Sequence, residues 1–228
     1  MNRLVTLSFL AVISFACAAP RSIQLPVSME VPPATSKIEV SGSKSRTRVF
    51  DFEIPRVQAK TRGFALNLGP ITVRDRSTQQ RSFVIQRAGT PFLAVDCTGV
   101  NQQKREGLVV YYQHTYACAA DGFSLQVNQT GESYFSGNVK LGDVDLELVS
   151  TIEMSDGKKG WSPSGFHLRR NGKWVATFEY FREGKAYLAN DLTPEEQNAA
   201  LAAVVSISST GRWFQLNPDG TSGKHVGL

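Results

Sequence analysis

Between Thr193 and Ile207 the sequence reads as a helix that is apolar around nearly its whole circumference. Thr193 stands as N-cap, Pro194 takes the first helical position, and Glu196 completes a capping box three residues after the cap. The run Ala199-Ala200-Leu201-Ala202-Ala203-Val204-Val205-Ser206-Ile207 follows and closes before Gly211. The helix is thus apolar around nearly its whole circumference, and a helix hydrophobic all round must be buried all round. At about fourteen residues it falls short of the roughly 20 that cross a bilayer, so the burial has to come from the protein itself. The sequence therefore predicts a helix over about 194–208 that other elements surround.

Those other elements read as strands. Short β-type runs recur at Val49–Ile54, Phe64–Leu68, Ile71–Arg74, Ser82–Arg87, Phe92–Cys97, Leu108–Cys118, Phe123–Val127, Tyr134–Leu141, Val144–Ile152, Phe166–Arg170, Trp174–Phe181 and Ala186–Ala189. Turn dipeptides separate them, among them Gly69-Pro70, Asp121-Gly122 and Glu183-Gly184. Asn171-Gly172 is the strongest hairpin signal, because a type I′ turn needs φ > 0 at both central residues. The expectation is an all-β chain with one C-terminal helix, in which a many-stranded antiparallel barrel closes around a central apolar helix. The alternative is a β-sandwich or lipocalin-like barrel with the helix packed outside.

The N-terminal segment reads as an address. Residues 1–18 form a secretory signal, with Arg3 as basic start, Leu4 to Phe15 as apolar stretch and small residues from Ala16 to Ala19. Ile13 to Cys17 is similar to a bacterial lipoprotein signal, in which the cysteine is lipidated and becomes the mature N-terminus. Ser14 and Phe15 depart from that pattern, and ordinary cleavage after Ala18 is the other reading. Residues 19–45, with Pro20, Pro26, Pro32 and Pro33, read as an extended tether in which Ile38 to Val40 can dock as a strand. Residues 46–228 remain as a single β-rich domain. The expected location is the cell envelope, either periplasmic or anchored to the membrane through a lipid on Cys17.

With Cys17 lipidated or removed, Cys97 and Cys118 are the pair left in an oxidising compartment and are expected to form a disulfide. A catalytic thiol is the weaker reading, since His114 lies four residues from Cys118, about 13 Å along an extended strand.

Several segments together resemble the tubby C-terminal-like family, which includes LURP-one-related and scramblase-type domains. They are Gly165-Phe166-His167-Leu168, the turn Asn171-Gly172-Lys173, the strand Trp174-Val175-Ala176-Thr177-Phe178, Ala186-Tyr187-Leu188 and the helix from Leu201 to Ile207. The resemblance implies a barrel threaded by its C-terminal helix. The chain departs from the family after the helix, where Gly211 to Leu228 adds a polar tail containing Trp213 and Phe214. No phosphoinositide-contacting basic pair of the family aligns, so no binding residue is carried over.

Chemistry-bearing motifs are sparse. Strand period places Tyr112, His114, Tyr116 and Cys118 on one face, and Tyr112, His114 and Tyr116 are the candidate lining of a ligand pocket; a half-buried structural face is the alternative. His167 and His225 are weaker candidates. Three separated histidines give no zinc spacing, and no metal or other cofactor is expected. Ser162-Pro163-Ser164-Gly165 lacks the spacing of a hydrolase nucleophile elbow. Asp143, Asp145 and Glu147 share a strand face that reads as solvated rather than as a calcium or catalytic site. The net charge of +5 is spread over basic groups such as Arg56, Lys60, Arg62 and Lys104, Arg105. With a signal present, nucleic acid is not the expected partner; anionic lipid or an envelope polymer is. The expected function is a non-catalytic envelope module, with an enzyme or small-ligand binder using a pocket near His114 as the alternative.

Overall fold

The computed structural model describes residues 35–42, 46–68, 71–106, 109–131, 134–154, 158–159, 162–180, 184–210 and 213–214. Thirteen strands follow in order: β1 (Thr35–Gly42), β2 (Thr47–Val49), β3 (Phe52–Ile54), β4 (Val57–Leu68), β5 (Ile71–Arg87), β6 (Thr90–Glu106), β7 (Val109–Ala120), β8 (Phe123–Gln129), β9 (Phe135–Leu141), β10 (Val144–Thr151), β11 (Gly165–Arg170), β12 (Lys173–Glu179) and β13 (Gly184–Ala189). One helix, α1 (Pro194–Ser208), comes after them. All ladders are antiparallel and run in the order β3-β2-β1-β13-β12-β11-β10-β9-β8-β7-β6-β5-β4.

The ring is nearly closed. β3 pairs with the end of β5 through Phe52 with Arg87 and Glu53 with Gln86. β4 starts two residues after β3 and continues along the same edge of β5, from Val57 opposite Phe83 to Leu68 opposite Ile71. Around the closing pairs, Arg87 bridges to Asp51 at 2.9 Å and its guanidinium lies 5.7 Å from the Phe52 ring centre. Pairs this exposed are worth at most about 1 kcal/mol each, so they fix register more than they add stability.

Ten consecutive residues of α1, Ala199 to Ser208, are buried, and the helix packs against β2, β3, β9, β10 and β12. Those strands lie on different sides of the ring, so the barrel surrounds the helix; it is not packed on the outside. Small side chains explain why it fits. Ala199, Ala200, Ala202 and Ala203 keep the helix narrow, while Leu201, Val204, Val205 and Ile207 fill the remaining space at about 1.5–3 kcal/mol of burial each. Inward residues alternate along the strands, as in the buried Val144, Leu146 and Leu148 of β10 and Phe123, Leu125 and Val127 of β8. Gly137 has a separate cause: a Cβ there would lie 1.7 Å from the Gln126 carbonyl oxygen, so β9 passes too close to β8 for any side chain.

The structure corrects some sequence boundaries. Within the segment read as tether, Thr35–Gly42 forms strand β1, paired with β13 from Thr35 opposite Ala189 to Val40 opposite Gly184. The expected docking of Ile38 to Val40 is part of this longer strand. Val49–Ile54 divides into β2 and β3 because Phe50 turns the chain at φ 55°. Ile71–Arg74 and Ser82–Arg87 merge into the single 17-residue β5, since the polar residues between them still pair with β4 and β6. Asn171 and Gly172, at φ 51° and 78°, form the expected hairpin turn. The signal region and Cys17 lie outside the described residues.

Candidate functional site

The two ends of the barrel are built differently. At one end the strands are joined by tight turns at Phe50-Asp51, Ala88-Gly89, Asp121-Gly122, Gly142-Asp143 and Asn171-Gly172, and α1 begins there. Its Thr193 hydroxyl accepts from the Glu196 N–H at 3.2 Å, and the Glu196 carboxylate accepts from the Thr193 N–H at 2.9 Å. Arg170, beside the hairpin turn, donates to Glu196 at 2.7 Å. The Thr193 N–H, then Arg170, hold the Glu196 carboxyl below its ordinary range.

At the other end the helix stops inside the barrel, and the sheet reaches it. The last turn contains no basic side chain, and its Ser206 and Ile207 carbonyls accept from the Ser209 and Thr210 hydroxyls that follow it, each at 2.7 Å. Arg81 of β5 adds a contact from the sheet, donating to the carbonyl of Ser209, the C-cap, and at 3.1 Å to that of Thr210 just beyond it. A buried cation at the negative end of a helix is favourably placed. Burial pulls its pKa down, and Tyr116 and Tyr180 oppose that shift. A relay of hydroxyls adjoins it. The Thr210 hydroxyl donates to the Ile207 carbonyl at 2.7 Å, so it accepts from Tyr180, 2.7 Å away, whose oxygen accepts the Phe214 N–H at 3.2 Å. Burial raises the Tyr180 hydroxyl to about 12, and Tyr116 is shifted upward for the same reason.

Trp213 and Phe214 then fold back into this end. Phe214 is surrounded by Phe135, Phe166, Tyr180 and Tyr116 at ring separations of 5.2, 5.4, 5.4 and 5.7 Å. Trp213 lies 6.1 Å from the His114 ring, which lies 6.1 Å from Phe135. Edge-to-face pairs of this kind add about 0.5–1.5 kcal/mol each beyond burial. Gly99 makes room, since a Cβ there would sit 2.7 Å from the Trp213 ring.

This is where the structure puts the residues that the sequence offered as a pocket. His114 and Tyr116 do share a face with Cys118, but both are 0% exposed, and Trp213 and Phe214 occupy the space beside them. The Tyr112 side chain lies outside the described residues. Cys97 and Cys118 sit directly opposite each other on β6 and β7 and are joined as a disulfide. The chain-entropy model values the loop it closes at roughly 3 kcal/mol. His167 is on the outer face instead, with Nδ1 2.8 Å from the Thr177 hydroxyl and its ring 4.7 Å from Trp174. Burial lowers its pKa to about 4. His225 lies outside the described residues. Asp143, Asp145 and Glu147 are exposed, and no metal-binding group of His, Cys, Asp or Glu occurs among the described residues.

Access to solvent is on the outer surface of β4. Gln58 to Arg62 are exposed on both faces of the strand, and Arg56, Lys60 and Arg62 have no ion pair among the described residues. A surface depression of ≈ 410 Å³ adjoins Arg56, lined by Pro55, Gln58, Ser82, Val84 and Asp96 among others. The Ser82 hydroxyl donates to Asp96 there at 2.6 Å. Sequence reading missed Arg81, although it shares strand parity with Phe83 and Ile85, which marks it as inward. Comparison with known proteins gives no match to this chain among family models, curated proteins or solved structures.

Proposed function

We propose that the chain is a non-catalytic bacterial cell-envelope protein whose filled barrel is a rigid support for a cationic outer surface that contacts anionic lipid. The observation that carries this reading is the row Arg56, Lys60 and Arg62, exposed and without ion pairs among the described residues. Lys60 and Arg62 are two residues apart on one strand, about 7 Å, a spacing suited to adjacent headgroups. The filling of the barrel end by Arg81, Trp213 and Phe214 favours work at the surface over a ligand beside His114. The disulfide supports an oxidising compartment. A barrel threaded by an apolar helix is also what the resemblance to tubby C-terminal-like domains implies, and we include membership of that family in the proposal.

Flotation with phosphatidylglycerol-containing vesicles, against pure phosphatidylcholine vesicles, tests the reading. Each cation near an anionic surface contributes about 1 kcal/mol, so Arg56→Gln, Lys60→Gln and Arg62→Gln together should weaken binding on the order of 100-fold at low salt. Equal partition into both vesicle types, or retention by a soluble anionic polymer alone, contradicts lipid as the partner. Intact mass tests the anchor: a diacyl or triacyl adduct on Cys17 supports it, and an unmodified chain starting at Ala19 opposes it.

A further inference from the structure

The depression beside Arg56 has its cause in the two ladders of β5. Toward β3 and β4, Glu53 pairs with Gln86 and Val57 with Phe83, so Ile54, Pro55 and Arg56 stand against only Val84 and Ile85. Pro55 has no N–H with which to restore a ladder bond. Toward β6, Ile85 pairs with Leu93 and Gln86 with Pro91, which leaves Phe92 as an extra residue, its ring turned to Phe52 at 5.3 Å. Both irregularities fall at the same level of β5, and extra residues of this kind bend a strand and re-aim its side chains. The outer wall is hollowed there by ≈ 410 Å³, a volume within the roughly 300–1,000 Å³ of small-ligand sites.

The lining of the hollow brings together apolar surface and two opposite charges. Val84 is one of three large apolar side chains exposed among the described residues, and Pro55 and Ala94 line the hollow with it. Arg56 and Asp96 line it too, and neither has an ion pair among the described residues. Asp96 accepts from the hydroxyl of Ser82, its cross-strand neighbour, and Gln58 and Gln86 add amide groups. A ligand of a single charge would be attracted by one of the two charged side chains and repelled by the other. A small zwitterion gains from both: its anion accepts from the Arg56 guanidinium, which takes phosphate in a bidentate fork, and its ammonium donates to the Asp96 carboxylate. The methylenes between them would lie against Val84 and Ala94. Gln58 shares a face of β4 with Lys60 and Arg62, so the hollow is continuous with the cationic row. We infer that the hollow binds a phosphoethanolamine group, presented as the headgroup of an aminophospholipid. The inference rests on the lipid-binding reading above and adds headgroup selectivity to it.

The test uses the full chain carrying Cys17→Ser, so that no lipid adduct contributes. Flotation is compared between vesicles of fixed phosphatidylglycerol content whose remaining lipid is phosphatidylcholine or phosphatidylethanolamine. Choline has no N–H to donate to Asp96, so partition should rise about threefold with ethanolamine, the size of one exposed charged contact. Asp96→Asn should remove that rise, and so should Ala94→Trp, which fills the hollow; both positions are exposed, and an unshifted thermal midpoint checks that the variants fold. If the parent prefers anionic vesicles but gains nothing from ethanolamine, or if Asp96→Asn keeps the gain, the headgroup site is overturned and the surface reading stands. If the parent shows no preference for phosphatidylglycerol over phosphatidylcholine, the surface reading fails, while a rise with ethanolamine that Asp96→Asn removes still supports the hollow. Calorimetric titration separates the two sources of the group. Binding of free phosphoethanolamine by the parent and not by Asp96→Asn, with no rise on vesicles, would make the soluble ester the ligand and overturn the membrane source.

Discussion

The two ends of α1 differ in how far along the chain their partners lie. The N-terminal end is capped by its own sequence, through Thr193, Pro194 and Glu196, and is open to solvent. The C-terminal end has a local cap in the Ser209 and Thr210 hydroxyls, but it also needs Arg81, 128 residues from Ser209, and is closed by residues after the helix. A local cap forms whether or not the barrel does. The remote cap forms only once β5 is in the sheet, so it ties helix placement to barrel closure.

This difference orders the expected losses in stability. Arg81→Ala removes two charge-assisted hydrogen bonds and leaves buried carbonyls unsatisfied; a loss of about 4 kcal/mol by urea unfolding is expected. A loss under about 1 kcal/mol there would break the comparison. Gly99→Ala should cost about 2 kcal/mol by pressing on Trp213, and most of that cost should vanish in a Trp213→Ala background. Additive losses in that double-mutant cycle would mean the two residues are not in contact. Thr193→Ala, at the self-capped end, should cost only about 1 kcal/mol.

Two titrations, on β11 and at the helix start, give the electrostatic side of the comparison. His167 has a folded pKa of about 4 against an ordinary 6.5, so the unfolded chain binds its proton first. Its contribution is complete above pH 6.5 and is lost as pH falls toward about 4. Glu196 is also depressed, and its contribution is present above its ordinary 4.5 and lost as pH falls through its folded value. Unfolding curves from pH 7 to 3 should show His167→Asn flattening the upper part of this range and Glu196→Gln the lower part. Unchanged slopes in both variants would remove the electrostatic part of the comparison.

What was legible in the sequence follows the same division. The helix limits, its cap, the Asn171-Gly172 turn and most strands come from local pattern, and the structure shows them where they were expected. The central position of the helix also follows from its composition, because no outside face suits residues 199–207. The 17-residue span of β5 was not legible, since Asp75 to Gln80 contains no apolar residue to signal a strand. Nor was the role of the His114 and Tyr116 face. Period two gives the shared face correctly, but only the return of Trp213 and Phe214 makes it a packed interior. Arg81 was hidden among surface-like arginines because its partners are helix carbonyls far along the chain.

Amide hydrogen exchange followed by mass spectrometry tests the central claim most directly, namely that the barrel surrounds the helix. The account predicts that amides of 199–208 exchange as slowly as those of β8 to β10, with the free energy of global unfolding. Exchange of the helix well before those strands, through local opening, would place it on the barrel's exterior and contradict the account.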